Sequence, residues 1–253
     1  MGALAVPKFY DTKVISIDSI KRKTKDDNSI DGELSNRTGQ SCEVYAFRSK
    51  EEIEAMIKVF DKHIAEAPDN NKQQIAERNK LLFVVGINLG LRASDLRILQ
   101  YDFFLNEDRT FKDFYVLTPM KTRKLKKKVK LFFNQTVRKA IMDYLKKYPT
   151  DSLDDYLFIS RKGNNPINEN TLWDIIKKTA TEAGIKQNIG SHSLRKSWGY
   201  WAWHEAQDKS KALVTLQQCF NHSSMQTTLR YIGLLDDEIS DMYNSIELGM
   251  EFL

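Results

Sequence analysis

The stretch LLFVVGINLG, residues 81–90, constrains the fold most, because it is apolar on nearly every side. It ends a helix predicted from about Asn71 to Leu89. A helix that is apolar all round is buried, so this one should lie at the centre of its domain. Gly90 permits a sharp turn directly after it, and a rigid scaffold should hold the residues that follow.

Helical patterns dominate the rest of the chain. Ser49 and Glu52 match a capping box, and apolar residues recur behind them at helical spacing. The segment SDLRILQ predicts a short helix opened by a serine cap. The pattern predicts further helices at residues 135–147, 168–183, 192–206, 210–220 and 224–231.

Strand signals lie in YDFFL, FYVLTP and KKVKLFF. A basic run, KTRKLKKKVK at residues 121–130, separates the last two. This order predicts a small antiparallel sheet with a lysine-rich hairpin at its edge. The predicted fold class is α+β: a mostly helical domain with one small antiparallel sheet.

The pattern divides the chain into three parts. Residues 1–48 are polar and turn-rich, which is typical of a flexible arm or linker, with a short strand at KVISI. Residues 49–233 form the main domain. Residues 234–253 predict an amphipathic helix with an acidic face. Its apolar face packs either on its own domain or on a neighbouring molecule, and the pattern favours neither; that face consists of Leu235, Ile239, Met242, Tyr243, Ile246 and Met250.

Composition excludes several classes of protein. Hydrophobic residues make up 41% and charged residues 29%, as in soluble domains with a core. No apolar run reaches the roughly 18 to 20 residues that span a bilayer. The beginning, MGALAVPKFYDTK, does not resemble a secretory signal. Only Cys42 and Cys219 occur, without metal-site spacing, so we expect reduced thiols in a cytoplasmic protein.

The positive charge is concentrated in one place. The net charge is +5, and the run at residues 121–130 contains seven basic side chains and no acidic one. The segment from Asp236 to Glu251 is acidic. Such a separation fits a protein that meets polyphosphate with one surface, although a solvated hairpin would look the same.

Several hydrogen-bonding residues lie in short motifs. Arg92 follows Gly90 in GLRASDL. His192 and Arg195 lie three apart in SHSLRKS, on one face of the first turn of a helix, where positive helix ends bind anions. His222 and Tyr231 lie in FNHSSMQTTLRYIG. A core helix rarely carries so many hydrogen-bonding groups in so short a stretch.

The ordered set GLRxSDL, a hairpin lysine, HSLR, NHSS and TLRYIG resembles the tyrosine recombinases, or phage integrase family. That family's catalytic residues run Arg, Lys, His-x-x-Arg, His or Trp, Tyr, and the likeness covers roughly residues 50–250. The resemblance implies an integrase-like catalytic core. It also implies a site-specific recombinase that cleaves and rejoins DNA strands.

By that resemblance, Tyr231 attacks a DNA phosphodiester, leaving a 3′-phosphotyrosine and a free 5′-hydroxyl. Tyrosine has a pKa near 10 and needs a cationic surrounding and a proton acceptor. Arg92 and Arg195 would bind the non-bridging oxygens, and His222 would donate to the same phosphate. His192 would be the general base or proton relay. Lys121 would be the general acid, with Lys124 as the alternative.

The resemblance also implies partners. These are double-stranded DNA, a homo-tetramer on two duplexes, and accessory DNA-bending or directionality proteins. No metal, other cofactor, ATP or membrane is expected, and the sequence contains no GxxxxGK[ST] loop. Basic residues of the hairpin would contact backbone phosphates: Arg123, Lys124, Lys126, Lys127 and Lys128. The alternatives are a type IB topoisomerase-like nicking-closing enzyme and a catalytically silent DNA-binding protein.

The chain departs from the family pattern at two points. Many relatives read Leu-Gly-His where this chain has Phe220, Asn221 and His222, but asparagine also tolerates a left-handed conformation. Relatives usually carry a helical domain ahead of the catalytic one, which residues 1–48 do not resemble. For the remaining candidates, Asp95 is expected to orient Arg92 or cap the turn. Core packing is expected of the tryptophans, namely Trp198, Trp201 and Trp203.

Overall fold

The structure is a computed structural model that describes residues 43–121, 128–161 and 163–246, without the side chains of residues 236–238. The compact unit begins at Glu43. Residues 43–48, which the sequence pattern assigns to the arm, are therefore part of it. The strand predicted at KVISI lies outside the described residues.

Within these ranges the chain forms nine α-helices, one 3₁₀ helix and one two-stranded sheet. The helices are α1 Lys50–Ala65, α2 Asn70–Leu89, α3 Ala93–Leu96, α4 Gln135–Lys147, α5 Glu169–Glu182, α6 Ser191–His204, α7 Lys209–Phe220, α8 Met225–Ile232 and α9 Leu234–Asn244. The 3₁₀ helix is Tyr101–Phe103, and the strands are β1 Phe114–Leu117 and β2 Val129–Phe132.

Helix α2 lies at the centre of the fold, as its apolar end predicts. It packs against α1, α4 and α6. Leu82, Phe83 and Val85 are all fully buried. The rings of Phe47 and Phe60 contact Phe83, with centroids 5.6 Å and 5.5 Å away. Burial of these aromatic and aliphatic side chains fixes the position at which α2 ends.

Side-chain caps set the helix boundaries. The capping box predicted at the start of α1 is confirmed: the Glu52 N–H donates to Ser49 Oγ at 3.1 Å, and the Ser49 N–H donates to Glu52 Oε2 at 3.3 Å. Each such bond satisfies a backbone donor that the helix itself cannot. The same kind of cap begins α2, α4, α5, α7 and α8, from Asp69, Asn134, Asn168, Asp208 and Ser224.

The predicted hairpin sheet is confirmed. Strands β1 and β2 pair antiparallel, with Phe114 opposite Phe132 and Leu117 opposite Val129. Leu117 and Leu131 face the core, whereas Phe114 and Phe132 are exposed. The fold is thus the mostly helical α+β class with a small antiparallel sheet.

Two local predictions were wrong. YDFFL is not a strand but contains the 3₁₀ helix, because its buried residues are Tyr101, Phe104 and Leu105. Their spacing of three and four is that of a helical turn and not the alternation of a strand. Ser94 does not open α3, because the helix begins at Ala93, and the preceding Arg92 makes no side-chain cap bond.

A second, smaller cluster lies where α6, α7, α8 and α9 meet. Its buried members are Leu216, Phe220, Ile232 and Leu234. Trp198 and Trp203 pack against it, and Trp201 Nε1 donates to the Phe47 carbonyl at 2.9 Å. The prediction that these tryptophans pack within the fold is confirmed.

Helix α9 packs on α8. Leu234 is buried, whereas Ile239, Met242 and Tyr243 of the predicted apolar face are exposed. Met250 lies outside the described residues. Among the residues described, no helix has the length and apolar character needed to cross a membrane.

Replacing Gly90 by alanine should destabilise the fold. Gly90 ends α2 with φ +60°, and an added Cβ would lie 2.4 Å from the Trp198 ring. A left-handed backbone costs an ordinary residue about 1–2 kcal/mol, and overpacking adds about 1–3 kcal/mol. We expect the free energy of unfolding in urea to fall by roughly 2–5 kcal/mol.

Gly184→Ala is the matched control. Gly184 has φ +74°, but an added Cβ there would have nothing within 4 Å. Only the backbone cost of about 1–2 kcal/mol should appear. Equal losses in both variants would show that the contact with Trp198 does not matter.

Candidate active site

The turn after α2 brings Arg92 to the second cluster. Gly90 is left-handed at φ +60°, ψ +29°, and Arg92 is extended. The half-buried Arg92 side chain then donates from Nη2 to the Phe220 carbonyl at 3.5 Å. The predicted role of Gly90 in a sharp turn is confirmed. Arg92 is thereby tied to the C-terminal end of α7.

Arg195 lies in the core of the site and is only 8% exposed. Its Nη1 donates to the Gly90 carbonyl, and its guanidinium carbon lies 4.4 Å from the centroid of the Phe220 ring. Its charge also interacts with the hydroxyl of Tyr231. Burial lowers the pKa of Arg195 to about 10, although the contact with Tyr231 opposes this change. A buried cation therefore lies directly against the tyrosine.

His192 lies one turn before Arg195 on α6. The helix begins at Ser191, and the Gly190 N–H donates to Ser193 Oγ at 3.1 Å. His192 is thus in the first helical turn, where it is exposed. The helix N-terminus adds a positive partial charge beside it.

His222 and Tyr231 are brought together by a left-handed turn. Asn221 has φ +57°, ψ +45°, so the prediction that asparagine can make this turn is confirmed. The His222 and Tyr231 ring centroids are 5.2 Å apart. Phe220 lies 5.2 Å from the His222 ring and 5.1 Å from the Tyr231 ring. The fully buried Phe220 is the common contact of these groups.

Two residues that the sequence pattern missed touch this group. Thr228 is fully buried, and its Oγ1 lies 3.1 Å from His222 Nδ1. Lys196 is nearly buried, and its Nζ lies 5.5 Å from the centroid of the Tyr231 ring. Thr228 precedes Tyr231 by three residues, so helical spacing could have indicated it. Only the packing of α6 on α8 reveals Lys196.

Lys121 is exposed at the start of the hairpin. Its neighbour Met120 donates its N–H to Asp95 Oδ1 at 2.8 Å. Asp95 is 1% exposed, and burial raises the pKa of its carboxyl, which the Met120 bond and the charges of Arg92 and Arg195 oppose. The sequence pattern predicts that Asp95 orients Arg92 or caps the turn; the structure shows its charge interacting with both arginines. Its bond to the Met120 backbone, at the start of the hairpin, was not predicted.

The rest of the basic run is only partly described. Lys128 is exposed beside β2. The other predicted DNA-contacting residues lie outside the described part of the chain: Arg123, Lys124, Lys126 and Lys127.

The two remaining histidines of the described chain pair with carboxylates of their own. His63 pairs with Glu182 at 2.7 Å, and His204 lies 3.5 Å from Glu205. Cys219 is half-buried, and burial raises the pKa of its thiol. In the part of the chain that the structure describes, no group of histidine, cysteine, aspartate and glutamate side chains could hold a metal ion.

Comparison with known proteins gives a matching family and several related sequences. Residues 48–238 match the Phage integrase family. A probable integrase/recombinase, YoeC of Bacillus subtilis, is 33% identical over 175 residues, which are 68% of this chain and 88% of that protein. Tyrosine recombinase XerC of Caldanaerobacter subterraneus is 27% identical over 178 residues, which are 69% of this chain and 46% of that protein.

Solved structures show the same fold. The XerA recombinase gives a TM-score of 0.56 at 20% identity, covering 83% of this chain and 65% of that chain. The XerH recombinase, in a post-cleavage complex with a palindromic difH substrate, gives a TM-score of 0.55 at 19% identity. The match covers 84% of this chain and 56% of that chain. This chain thus spans less than two thirds of XerC, XerA and XerH. The match over residues 48–238 shows that it belongs to the phage integrase family, the tyrosine recombinases.

Proposed function

We propose that this chain is a site-specific DNA recombinase or integrase that cleaves and rejoins DNA strands through a 3′-phosphotyrosine of Tyr231. The observation that carries this proposal is that the buried Arg195 and Tyr231 pack on the same Phe220 ring. The Arg195 guanidinium carbon lies 4.4 Å and the Tyr231 ring centroid 5.1 Å from the Phe220 ring centroid. Burial of an arginine beside a phenol is unfavourable unless another interaction compensates for the desolvation of its charge. In the proposed reaction, the arginine compensates for this cost by stabilising a phenolate nucleophile and the phosphate that it attacks.

The chemistry of the nucleophile follows from its surroundings. A phenol is mostly protonated at neutral pH, since its ordinary pKa is near 10. A cation within contact distance favours the phenolate, and Arg195 provides one. Attack forms a phosphodiester to tyrosine and releases the 5′-hydroxyl. The new bond is close in energy to the old one, so a second strand's hydroxyl reverses the step without ATP.

Other side chains would act on the phosphate. Arg92 and Arg195 would donate to its non-bridging oxygens and neutralise the charge that develops, without a metal. His222, whose ring Thr228 orients, would donate a further hydrogen bond. His192 would accept the proton of Tyr231. Lys121 would protonate the leaving 5′-oxygen.

Double-stranded DNA is the proposed partner, and a tetramer on two duplexes the proposed assembly, with accessory bending or directionality proteins. The XerH complex with its difH substrate supports DNA as the substrate class. Exposure of Ile239, Met242 and Tyr243 on α9 supports docking of residues 234–253 on the next protomer. We place the protein in the cytoplasm.

Tyr231→Phe should abolish covalent capture of DNA. A pool of nicked duplexes with randomised sequence beside the nick is incubated with the full chain, and adducts are separated by denaturing electrophoresis. The nick traps the adduct, because the short released strand diffuses away. Wild-type protein should form an adduct, and phenylalanine, which lacks the attacking oxygen, should form none.

Sequencing of the captured strands then gives one duplex for quantitative work, here termed the captured duplex. EDTA should not change the yield, since the proposal uses no metal. If wild-type protein captures nothing, or if the phenylalanine variant captures as much, the proposed chemistry is wrong.

Lys121→Ala should slow adduct formation on the captured duplex by about 100-fold or more, the lower range of general acid catalysis. A 5′-bridging phosphorothiolate should restore the rate, because a thiolate leaves without protonation. The readout is the single-turnover rate on the oxygen and sulfur substrates.

Lys124→Ala is the matched variant. It should lose only DNA affinity, with no selective recovery on sulfur. Recovery by Lys124→Ala in place of Lys121→Ala would assign the general acid to Lys124.

Thr228→Val should slow adduct formation about ten-fold, the equivalent of one hydrogen bond. Valine keeps the shape of threonine but leaves His222 Nδ1 without the Oγ1 contact at 3.1 Å. Thr227→Val is the control, because the Thr227 hydroxyl contacts Ser224 instead. Equal rates for the two variants at saturating DNA would show that Thr228 does not orient the histidine.

A further inference from the structure

Residues 43–48, here termed the lead-in segment, run across α6 to the helix that carries Tyr231. Phe47 is fully buried, and its N–H donates to Ser197 Oγ at 2.7 Å. Its carbonyl accepts from Trp201 Nε1 at 2.9 Å. These contacts fix the backbone of the lead-in segment on α6. Its two charged side chains of opposite sign, Glu43 and Arg48, can therefore act from a defined position.

Arg48 contacts the junction that follows the nucleophile helix. Its Nη2 donates to the Gly233 carbonyl at 2.5 Å. Gly233 ends α8 and begins α9 in a left-handed conformation, φ +78°. An added Cβ on Gly233 would lie 2.3 Å from Arg48 Nη2. The Arg48 guanidinium also lies 5.4 Å from the centroid of the Tyr200 ring on α6. It thus joins α6 to the end of α8.

The carbonyl that Arg48 binds is chemically significant. Gly233 directly precedes α9, where a carbonyl begins the hydrogen bonding of the next helix, and the second lone pair of its oxygen can accept from a side chain. A guanidinium there makes a charge-assisted hydrogen bond, which is stronger than a neutral one. Because Gly233 lies two residues after Tyr231, movement of this carbonyl moves the tyrosine.

Glu43 reaches the same helix by a second route. Its carboxylate pairs with Lys196 Nζ at 3.2 Å. That ammonium lies 5.5 Å from the centroid of the Tyr231 ring. A cavity of about 220 Å³ lies between the lead-in segment and the end of α8, bordered by Arg48, Lys196, Ile232 and Gly233. On this side the helix is therefore held by polar contacts more than by close packing.

We propose that the lead-in segment positions Tyr231, with Arg48 as the principal positioning residue. Arg48 does not touch the reacting atoms but sets the location of α8 relative to Arg195. Since the lead-in segment joins the preceding chain to the catalytic domain, displacement of that chain would change the position of the nucleophile. This inference rests on the proposed function for its catalytic consequence, but not for the contact itself.

Arg48→Gln tests the catalytic part. Glutamine keeps a long polar side chain but loses the cation and the fork. At saturating captured duplex, the single-turnover rate of adduct formation should fall about 10- to 100-fold, since small misplacements of a reacting group have effects of this size. The Kd for the duplex should change less than about two-fold, because the loss lies in positioning and not in binding.

Arg48→Lys and Lys50→Gln are the comparison variants. Lysine restores a cation that can reach the Gly233 carbonyl, so part of the rate should return. Lys50 lies on the same surface, 5.9 Å from the Trp201 ring centroid. Its variant loses a nearby charge and should keep the wild-type rate. A rate for Arg48→Gln equal to that of Lys50→Gln overturns the proposal, and so does a loss confined to Kd.

Hydrogen exchange on the full chain without DNA tests the contact independently of the chemistry. Arg48→Gln should speed exchange across residues 225–233 and leave α2 protected, as expected of local opening. Unchanged exchange in α8 overturns the proposal, as does uniform loss of protection across the domain. If Arg48→Gln does not fold, Arg48→Met, which keeps the long side chain but has no donor for the Gly233 carbonyl, undergoes both measurements, and wild-type values in both then overturn the proposal. Failure of wild-type protein to capture DNA would refute the proposed function alone.

Discussion

The burial of Arg195 is the constraint on which the rest of the site depends. Its guanidinium donates to the Gly90 carbonyl, packs over Phe220 and interacts electrostatically with Tyr231, so it joins two distant parts of the chain. Burying a cation is unfavourable unless polar partners surround it. The left-handed turn at Gly90 supplies one such partner, because it ends α2 and leaves its carbonyl turned toward α6.

The site is therefore a product of helix ends. Arg92 follows the end of α2, His192 lies at the beginning of α6, and His222 follows the end of α7. Helix ends present backbone groups without intrahelical partners, which favours polar and charged ligands there. Phe220 packs among these ends and covers the buried Arg195. The large central helix thus serves the chemistry indirectly, by fixing where its neighbours begin and end.

Polar connections join this centre to the chain on both sides. Asp95 accepts from the backbone of Met120, directly before Lys121, and its charge interacts with Arg92 and Arg195. Arg48 links the beginning of the domain to Gly233, directly after α8. Both contacts hold segments whose own packing is limited. In the proposed mechanism, a hydroxyl reaches a phosphate and later leaves it, and directional polar contacts that bury little area suit such a group.

Local sequence patterns predicted the helices with strong periodicity or caps, the antiparallel hairpin and the order of the candidate residues. These features depend on neighbours within a few positions. The turns at Asn221 and Gly90 could also be predicted, because few residue types adopt a left-handed conformation. The segment YDFFL misled the pattern, because its aromatic content resembles a strand while its burial follows a helical turn.

Which side chains contact each other became clear only from the three-dimensional packing. The pairing of Thr228 with His222, of Asp95 with Met120, and of Arg48 with Gly233 joins residues through packing angles and carbonyl directions. Packing angles and carbonyl directions cannot be predicted from the spacing of residues along the chain.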